Sequence, residues 1–248
     1  MNPIAIIGGS GLTNLKNLKI TNREVVRTPY GEPSAAMVYG ELSGKSVVFF
    51  PRHGPGHTIP PHEVNYRANL WALKEVGVTK VIAVNAVGAI SKIMDTSLVF
   101  PDQIIDYTYG RNHTFSSAER REVLHVDFTD PYCEELRKVL IQAATSAGLE
   151  ALAQGTYAAT QGPRFETRAE INRLEKDGAD IVGMTGMPEA GLARELGLCY
   201  ATIAVVANAA AGKGDKVISL KEVEKNLVDG MKKVRLLLEH AIPLVSSV

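Results

Sequence analysis

Residues 161–170 read QGPRFETRAE and contain the clearest helix start in the chain. Thr167 and Glu170 have the spacing of a capping box, in which each side chain accepts a backbone N–H near the start of the helix. A helix is therefore predicted to begin at Thr167. Phe165 and Glu166 then lie in the loop before it, and an aromatic ring beside a carboxylate there suits a flat, polar, uncharged ligand. The alternative is that Phe165 is only a hydrophobic staple of an ordinary helix.

Strands and helices alternate on both sides of this stretch. Apolar runs that end in glycine-rich or polar turns predict buried strands at residues 4–7, 80–84, 103–108, 181–184 and 199–207. Further helices are predicted at residues 63–76, 130–147 and 188–197, and after residue 219 with an apolar stripe of Leu227, Met231, Val234 and Leu238. A hairpin at residues 35–50 adds antiparallel strands. This order predicts a single α/β domain over residues 1–248, with a mixed, largely parallel central sheet flanked by helices.

The composition excludes several classes of protein. Lys plus Arg and Asp plus Glu both number 27, so a balanced charge favours neither nucleic acid nor an anionic membrane as partner. No apolar run is long enough for a signal-peptide core or a membrane span. Cys133 and Cys199 match no metal-binding pattern or disulfide framework, and both are predicted to pack as small apolar residues in a reducing compartment. These observations predict a cytoplasmic protein with no nucleic-acid or membrane partner.

Polar side chains follow the predicted strands. Because open α/β sheets bind ligands at the carboxyl ends of their strands, we expect one site to gather Ser10, Arg52, His53, Asn85, Met184, Thr185 and Asn208. An arginine can offer a planar pair of donors to phosphate, and a histidine a second donor. The glycine turn around Ser10 exposes N–H groups to an anion, although it lacks the dinucleotide-binding and P-loop patterns. An ordinary tight turn and a solvated Arg-His pair are the alternatives.

With these residues in view, the chain resembles the trimeric purine nucleoside phosphorylase family, in its methylthioadenosine phosphorylase branch, over nearly its whole length. The matching segments include IIGGSGL (6–12), FPRHGPGH (50–57), NAVGA (85–89), GPRFETRAE (162–170) and GMTGMPEA (183–190). The resemblance implies a phosphate site of Ser10, Arg52, His53, Ala86 and Thr185. It also implies that Met184 lies along the ribose and that Phe165 packs against the purine. His57 matches a family histidine near the phosphate loop.

The base-binding residues depart from the methylthioadenosine enzymes. Where those resemble F-S-T this chain has Glu166 in the second place, and where they have an Asp-x-Asp pair it has Asn208-Ala209-Ala210. Glu166 and Asn208 instead match the pair that 6-oxopurine nucleoside phosphorylases use. The chemistry agrees, because a carboxylate accepts the N1–H of hypoxanthine or guanine and an asparagine can donate to O6 or N7. The resemblance therefore implies preference for a 6-oxopurine.

The sugar end can be interpreted in the same way. Inosine-cleaving relatives place a histidine near the start of the last helix to hold the ribose 5′-hydroxyl, and residues 217–220 here read VISL. Val217 and Leu220 would suit a 5′-methylthio group. The resemblance further implies a homotrimer in which His125 of a neighbouring chain flanks this group. Alternatively, His125 is an ordinary surface or capping histidine.

The base end and the 5′ end of the substrate together predict a purine-salvage enzyme that cleaves S-methyl-5′-thioinosine by phosphorolysis. The chain resembles a side branch of the family with this combination, the methylthioinosine phosphorylases. Arg52, His53 and Asn208 would be its catalytic residues. Phosphate is the nucleophile of this glycosyl transfer, so no metal or organic cofactor is expected. Within the family, methylthioadenosine phosphorylase and inosine or guanosine phosphorylase are alternatives. A hydrolytic nucleosidase would not need the anion site at Arg52, and a purine-binding protein without activity would need only Phe165 and Glu166.

Overall fold

The computed structural model describes residues 3–12, 15, 17–93, 97–117, 123–214 and 218–245. The strands are β1 (Ile4–Gly8), β2 (Lys19–Glu24), β3 (Met37–Leu42), β4 (Lys45–Pro51), β5 (Lys80–Ala89), β6 (Leu98–Val99), β7 (Gln103–Asp106), β8 (Ala151–Leu152), β9 (Thr156–Ala159), β10 (Ile181–Gly183) and β11 (Cys199–Ala209). The helices are α1 (Tyr66–Glu75), α2 (Glu134–Ser146), α3 (Arg168–Lys176), α4 (Gly186–Glu195) and α5 (Leu220–Val245). Val217 and the side chain of Leu220 lie outside the described part, and so do their predicted 5′ contacts.

The strands form one mixed sheet, which confirms the predicted fold class. Its centre runs β4, β1, β5, β11, with every neighbouring pair parallel. The hairpin of β3 with β4 is antiparallel, as predicted. At its carboxyl end β5 also pairs antiparallel with β10, from which β9 and β7 continue in parallel. Almost every residue of β1, β5 and β11 is buried, as expected for strands covered on both faces.

Helices cover both faces of this sheet. On one face α2 and α5 pack against β1, β5 and β11, and the predicted α5 stripe is buried there: Leu227, Met231, Val234 and Leu238. Burying each such leucine contributes about 1.5–3 kcal/mol. On the other face lie α1 and α4. Among the described helices none is long and apolar enough to cross a membrane.

Several boundaries differ from the predictions. The start of α3 is confirmed, because Thr167 Oγ1 accepts the N–H of Glu170 at 3.1 Å and Glu170 Oε2 accepts the N–H of Thr167 at 2.6 Å. By contrast, α2 begins at Glu134, so the predicted cap at residues 130–131 is wrong. Both β5 and β11 continue beyond the predicted ends, because their parallel pairing extends to Ala89 and Ala209 through a register shift. Some of the polar site residues therefore lie within strands.

The two cysteines correct another expectation. Cys133 and Cys199 form a disulfide, although 66 positions separate them in the sequence. The N–H of Cys133 donates to the carbonyl of Tyr200 at 2.8 Å, which brings the start of α2 against the start of β11. The prediction that both pack as free apolar residues is therefore wrong. Since that prediction also carried the argument for a reducing compartment, a cytoplasmic location now has no support from the cysteines and stays a prediction.

Candidate active site

A cavity of about 600 Å³ lies where the carboxyl ends of β1, β4, β10 and β11 meet the loop before α3. Most of the predicted site residues line it: Ser10, Arg52, His53, Ala86, Phe165, Glu166, Met184, Thr185, Asn208 and Ala210. Three predicted residues within the described ranges do not: Asn85, Ala209 and His125. Ala209 is a half-buried residue of β11 outside the lining, and His125 is exposed and lies elsewhere on this chain.

The turn after β1 forms one wall of the cavity. A Cβ atom on Gly9 would lie 2.4 Å from the carbonyl oxygen of Val84 and 3.0 Å from Arg52 Nη1, so only glycine fits there. This close approach places Ser10 at the cavity, with its hydroxyl 3.5 Å from His57 Nε2. The predicted glycine turn is thus a packed wall of the site.

Arg52 is fully buried and paired with a carboxylate that the sequence analysis did not identify. Its Nε and Nη2 donate to the two oxygens of Glu189 at 2.6 and 2.7 Å, and its Nη1 donates to the carbonyl of Val84 at 3.0 Å. Burial lowers the pKa of Arg52, but the charge and hydrogen bonds of Glu189 outweigh it and raise the pKa above its ordinary value. Two of the five N–H groups remain. The remaining groups are one N–H on Nη1 and one on Nη2, so the predicted contact of Arg52 with phosphate stays a prediction.

One ring nitrogen of His53 is already occupied by a backbone contact. Its Nδ1–H donates to the carbonyl of Ile59 at 2.8 Å. Burial, followed by the charge of Arg52, lowers the pKa of His53 to about 4, so the ring is neutral at pH 7. Its Nε2 then carries a lone pair and can accept a hydrogen bond from a phosphate hydroxyl. Burial and Arg52 also lower the pKa of His57, whose ring centre lies 4.3 Å from that of His53.

Thr185 is a further polar residue of the cavity lining. It is the N-cap of α4, and its Oγ1 accepts a hydrogen bond from Nδ2 of the buried Asn85 at 2.7 Å. The hydroxyl of Thr185 keeps one proton, which it can donate to Tyr157 or to an anion in the cavity. The backbone at Met187 is not helical, so α4 is kinked there and its regular part follows that residue. The hydroxyls of Ser10 and Thr185 offer donors to an anion and carry no charge of their own.

The opposite side of the cavity carries the predicted base-binding residues. The side chain of Phe165 is 42% exposed and lines the cavity. Glu166 Oε1 accepts a hydrogen bond from Thr160 Oγ1 at 2.6 Å. Nδ2 of Asn208 donates to the carbonyl of Ala209 at 2.7 Å, which leaves its second N–H for a ligand. The acceptor Glu166 and the donor Asn208 thus line the same cavity, where the resemblance placed them.

Arg111 is a structural residue of this site that sequence reasoning missed. Its Nη1 donates to the carbonyls of Met184 and Met187 at 2.9 and 2.7 Å, and its Nη2 donates to that of Gln161 at 2.8 Å. The loop before α3 is thereby tied to the segment that carries Met184. A Cβ atom on Gly162 would lie 2.5 Å from Met184 Sδ, so the two segments also touch directly. Nothing around Arg111 in the sequence indicates this role.

Three further lining residues are apolar and come from the α5 side of the cavity: Ile218, Val223 and Leu227. Leu227 was predicted only as a core residue. Ile218 and Val223 were missed, although Ile218 lies in the VISL segment that the sequence analysis connected with a 5′-methylthio group. The cavity therefore has three parts. We call them the anion corner (Ser10, Arg52, His53 and Thr185), the base side (Phe165, Glu166 and Asn208) and the apolar wall (Ile218, Val223 and Leu227).

Comparison with known proteins agrees with this geometry. A family model described as the phosphorylase superfamily matches residues 3–243. The chain belongs to this superfamily. A probable S-methyl-5′-thioinosine phosphorylase of Pseudomonas syringae pv. tomato is 52% identical over 98% of this chain and 99% of its own. A 6-oxopurine nucleoside phosphorylase of Pyrococcus furiosus is 48% identical over 98% of this chain and 92% of its own.

The solved structures agree with the fold. Methylthioadenosine phosphorylase from Schistosoma mansoni in complex with adenine superposes with a TM-score of 0.96 at 36% identity, covering 100% of this chain and 93% of its own. The resemblance and the fold class inferred from the sequence are thereby confirmed. The roles of the individual site residues stay predictions. No group of His, Cys, Asp or Glu within the described ranges could hold a metal ion.

Proposed function

We propose that this phosphorylase cleaves S-methyl-5′-thioinosine with phosphate, giving hypoxanthine and 5-methylthioribose 1-phosphate. The observation that carries the proposal is the composition of one cavity. It joins the base-side residues Glu166 and Asn208, the hydroxyls of Ser10 and Thr185, and the apolar wall of α5. Relatives named as thioinosine and 6-oxopurine phosphorylases support the same substrate class.

The reaction breaks the C1′–N9 bond and forms a bond from C1′ to a phosphate oxygen. Positive charge develops on the ribose and negative charge on the leaving purine, so the site must hold an anion below the sugar and a donor at the base. Ser10 and Thr185 would hold the phosphate, and His53 Nε2 would accept a hydrogen bond from its hydroxyl. Over the whole reaction the proton of hydrogen phosphate ends on the leaving hypoxanthine. The second N–H of Asn208 would donate to O6 or N7 of the leaving hypoxanthine.

The 5′ end of the substrate determines which nucleoside is preferred. Ile218, Val223 and Leu227 offer apolar area without a hydrogen-bond partner for a hydroxyl. Such a surface should favour a 5′-methylthio group over a 5′-hydroxyl moderately, by about 10- to 200-fold in kcat/KM.

We also propose a cytoplasmic homotrimer, in which the neighbouring chain's surface completes the 5′ end. His125 is exposed here, and the two large apolar residues before it, Val123 and Leu124, are 74% and 47% exposed. Exposed apolar residues beside a predicted substrate contact are typical of a surface that a partner covers.

A second candidate function is phosphorolysis of inosine and guanosine. The 6-oxopurine nucleoside phosphorylase of Pyrococcus furiosus favours it at 48% identity. Both candidates require the same base recognition and differ only at the 5′ group. Equal kcat/KM for inosine and methylthioinosine would select this second function.

One assay tests the proposal. Purified protein is given methylthioinosine, methylthioadenosine or inosine, with and without phosphate, and the purine and the sugar product are quantified. We expect hypoxanthine and methylthioribose 1-phosphate from methylthioinosine, in a strictly phosphate-dependent reaction. Full turnover without phosphate would show a hydrolase instead, and faster cleavage of methylthioadenosine would refute the assignment of Glu166.

A further inference from the structure

Thr160 is the hydrogen-bond partner of the predicted base-recognition residue. It follows β9 directly, and its N–H donates to the carbonyl of Gly183 at 2.8 Å, which anchors it beside the cavity. Its Oγ1 lies 2.6 Å from Glu166 Oε1 and 3.3 Å from the carbonyl oxygen of Gly183. Among the described residues, no other hydrogen bond orients the Glu166 carboxylate.

The direction of this hydrogen bond follows from the chemistry of the groups. A threonine hydroxyl has one proton, and both nearby oxygens can accept it. The shorter distance and the negative charge of an ionised carboxylate favour donation to Glu166. Oε1 is then occupied, and Oε2 is left for a group in the cavity.

The surrounding charges do not replace this contact. Arg164 lies on the same loop and its charge attracts that of Glu166, but its two terminal nitrogens donate their hydrogen bonds to Glu170, at 2.9 and 2.8 Å. Behind Glu166 lies a second cavity of about 250 Å³, whose lining includes Tyr107, Glu170 and Arg173. No tight packing therefore holds the carboxylate from behind, and its orientation depends on Thr160.

We propose that Thr160 is the positioning residue for base selectivity: its hydroxyl holds Glu166 as an ionised acceptor with Oε2 directed at the N1–H of a 6-oxopurine. This inference rests on the proposed role of Glu166. A charge-assisted bond is stronger than a neutral one, so Thr160 stabilises the ionised carboxylate that repels the N1 lone pair of adenine.

A pair of backgrounds makes the inference testable. In wild type, Thr160→Val should lower the ratio of kcat/KM for methylthioinosine over methylthioadenosine by about 5- to 10-fold, the difference between a charged and a neutral hydrogen bond. Thr160→Ser keeps the hydroxyl and should retain the wild-type ratio. Thr145→Val, which removes a hydroxyl that bonds the Ile141 carbonyl on α2, is the matched control.

In a Glu166→Gln background, Thr160→Val should change the ratio of kcat/KM for methylthioinosine over methylthioadenosine in the opposite direction. Thr160 would hold the glutamine oxygen and direct the amide N–H₂ at the base, which suits the N1 acceptor of adenine. Adding Thr160→Val frees the amide to turn and should raise the methylthioinosine ratio. If Thr160 supported only the fold, its substitution would change kcat/KM for both substrates by the same factor in wild type and in Glu166→Gln.

Binding of free hypoxanthine and adenine, followed by calorimetry, provides the same ratios without turnover. If wild type prefers methylthioinosine but Thr160→Val changes the ratio in the same direction in both backgrounds, the inference about Thr160 is wrong and the proposed function stands. If wild type prefers adenine substrates, the proposed function itself fails. Should Thr160→Val not fold, Thr160→Ala against Thr160→Ser decides: equal ratios in that pair would overturn the inference.

Discussion

At the scale of single residues, this site works with groups whose charges are already neutralised. Arg52 is bound to Glu189, whose Oε1 also accepts the hydroxyl of Tyr200 at 2.8 Å. His53 is neutral because burial lowers its pKa. A bound phosphate would therefore meet the hydroxyls of Ser10 and Thr185 and the remaining N–H groups of Arg52, whose charge Glu189 already balances. Such an arrangement holds an anion by preorganised donors.

The first residue-scale prediction concerns Glu166. Glu166→Gln should lower the preference for methylthioinosine over methylthioadenosine by about 10- to 100-fold, because the amide can donate to the adenine N1 that the carboxylate repels. The measurement is kcat/KM for both substrates. Glu150→Gln, which changes an exposed carboxylate outside the cavity lining, should leave the ratio unaltered. An unchanged ratio in Glu166→Gln would remove Glu166 from base recognition.

The second residue-scale prediction concerns His53 and pH. The pKa of His53 is about 4 in the folded protein, against an ordinary value near 6.5. The unfolded chain thus binds a proton in this window that the folded chain does not, and stability falls as the pH drops from about 6.5 to 4. The contribution is about 3 kcal/mol.

Urea unfolding at several pH values measures this predicted loss of stability. His53→Asn should lose distinctly less stability than wild type over the same window, whereas the exposed His240→Asn variant should follow wild type. Parallel curves for His53→Asn and wild type would contradict the assigned pKa shift.

At the scale of secondary-structure elements, the site is built where strands end and α4 begins. Thr185 caps α4 from the end of β10, Asn85 reaches it from β5, and Glu189 in the first turn of α4 binds Arg52 from the end of β4. One short helix therefore organises both the anion corner and its buried ion pair. Arg52→Ala would leave Glu189 unpaired in the interior, at a cost of about 3–5 kcal/mol. Loss of activity in that variant alone would therefore not identify a phosphate contact.

The element-scale prediction concerns the link between α2 and β11. The disulfide closes a loop of 66 positions, and in the chain-entropy description this stabilises the fold by about 4 kcal/mol. Guanidinium unfolding should therefore shift to lower denaturant when a reductant is added. A double variant, Cys133→Ala with Cys199→Ala, should unfold like reduced wild type and should not respond to the reductant. Identical curves for oxidised and reduced wild type would contradict the prediction.

At the scale of the whole molecule, the cavity joins regions that are far apart in the sequence, from Ser10 to Leu227. The base side and the anion corner come from loops and strand ends of the sheet, and most of the apolar wall comes from helix α5. His125 is a different case, because it lies away from this cavity on its own chain. Its predicted contact with the 5′ group requires a neighbouring chain.

The molecule-scale prediction follows from this separation. Light scattering should find three chains per particle, and Val123→Lys with Leu124→Lys should shift the protein toward monomers by placing charge on the exposed apolar surface. Monomers should have a raised KM for methylthioinosine. Val228→Lys, a change at an exposed apolar residue of α5, is the control for added charge. A fully active wild-type monomer would refute the trimer.

The sequence by itself determined the features that local patterns encode. The start of α3 at Thr167, the buried strands, the stripe of α5 and the family segments all follow from residues that are near one another in the chain. Glu166 was also recognisable inside such a segment, and Asn208 was recognisable as a departure from the Asp-x-Asp pair of the methylthioadenosine enzymes. Only the tertiary structure decided the partners: Glu189 for Arg52 across 137 positions, Cys199 for Cys133, and the carbonyls around Arg111. Hydrogen bonds and ion pairs between distant segments depend on how the sheet brings its strand ends together, and no periodicity or spacing in the sequence records that.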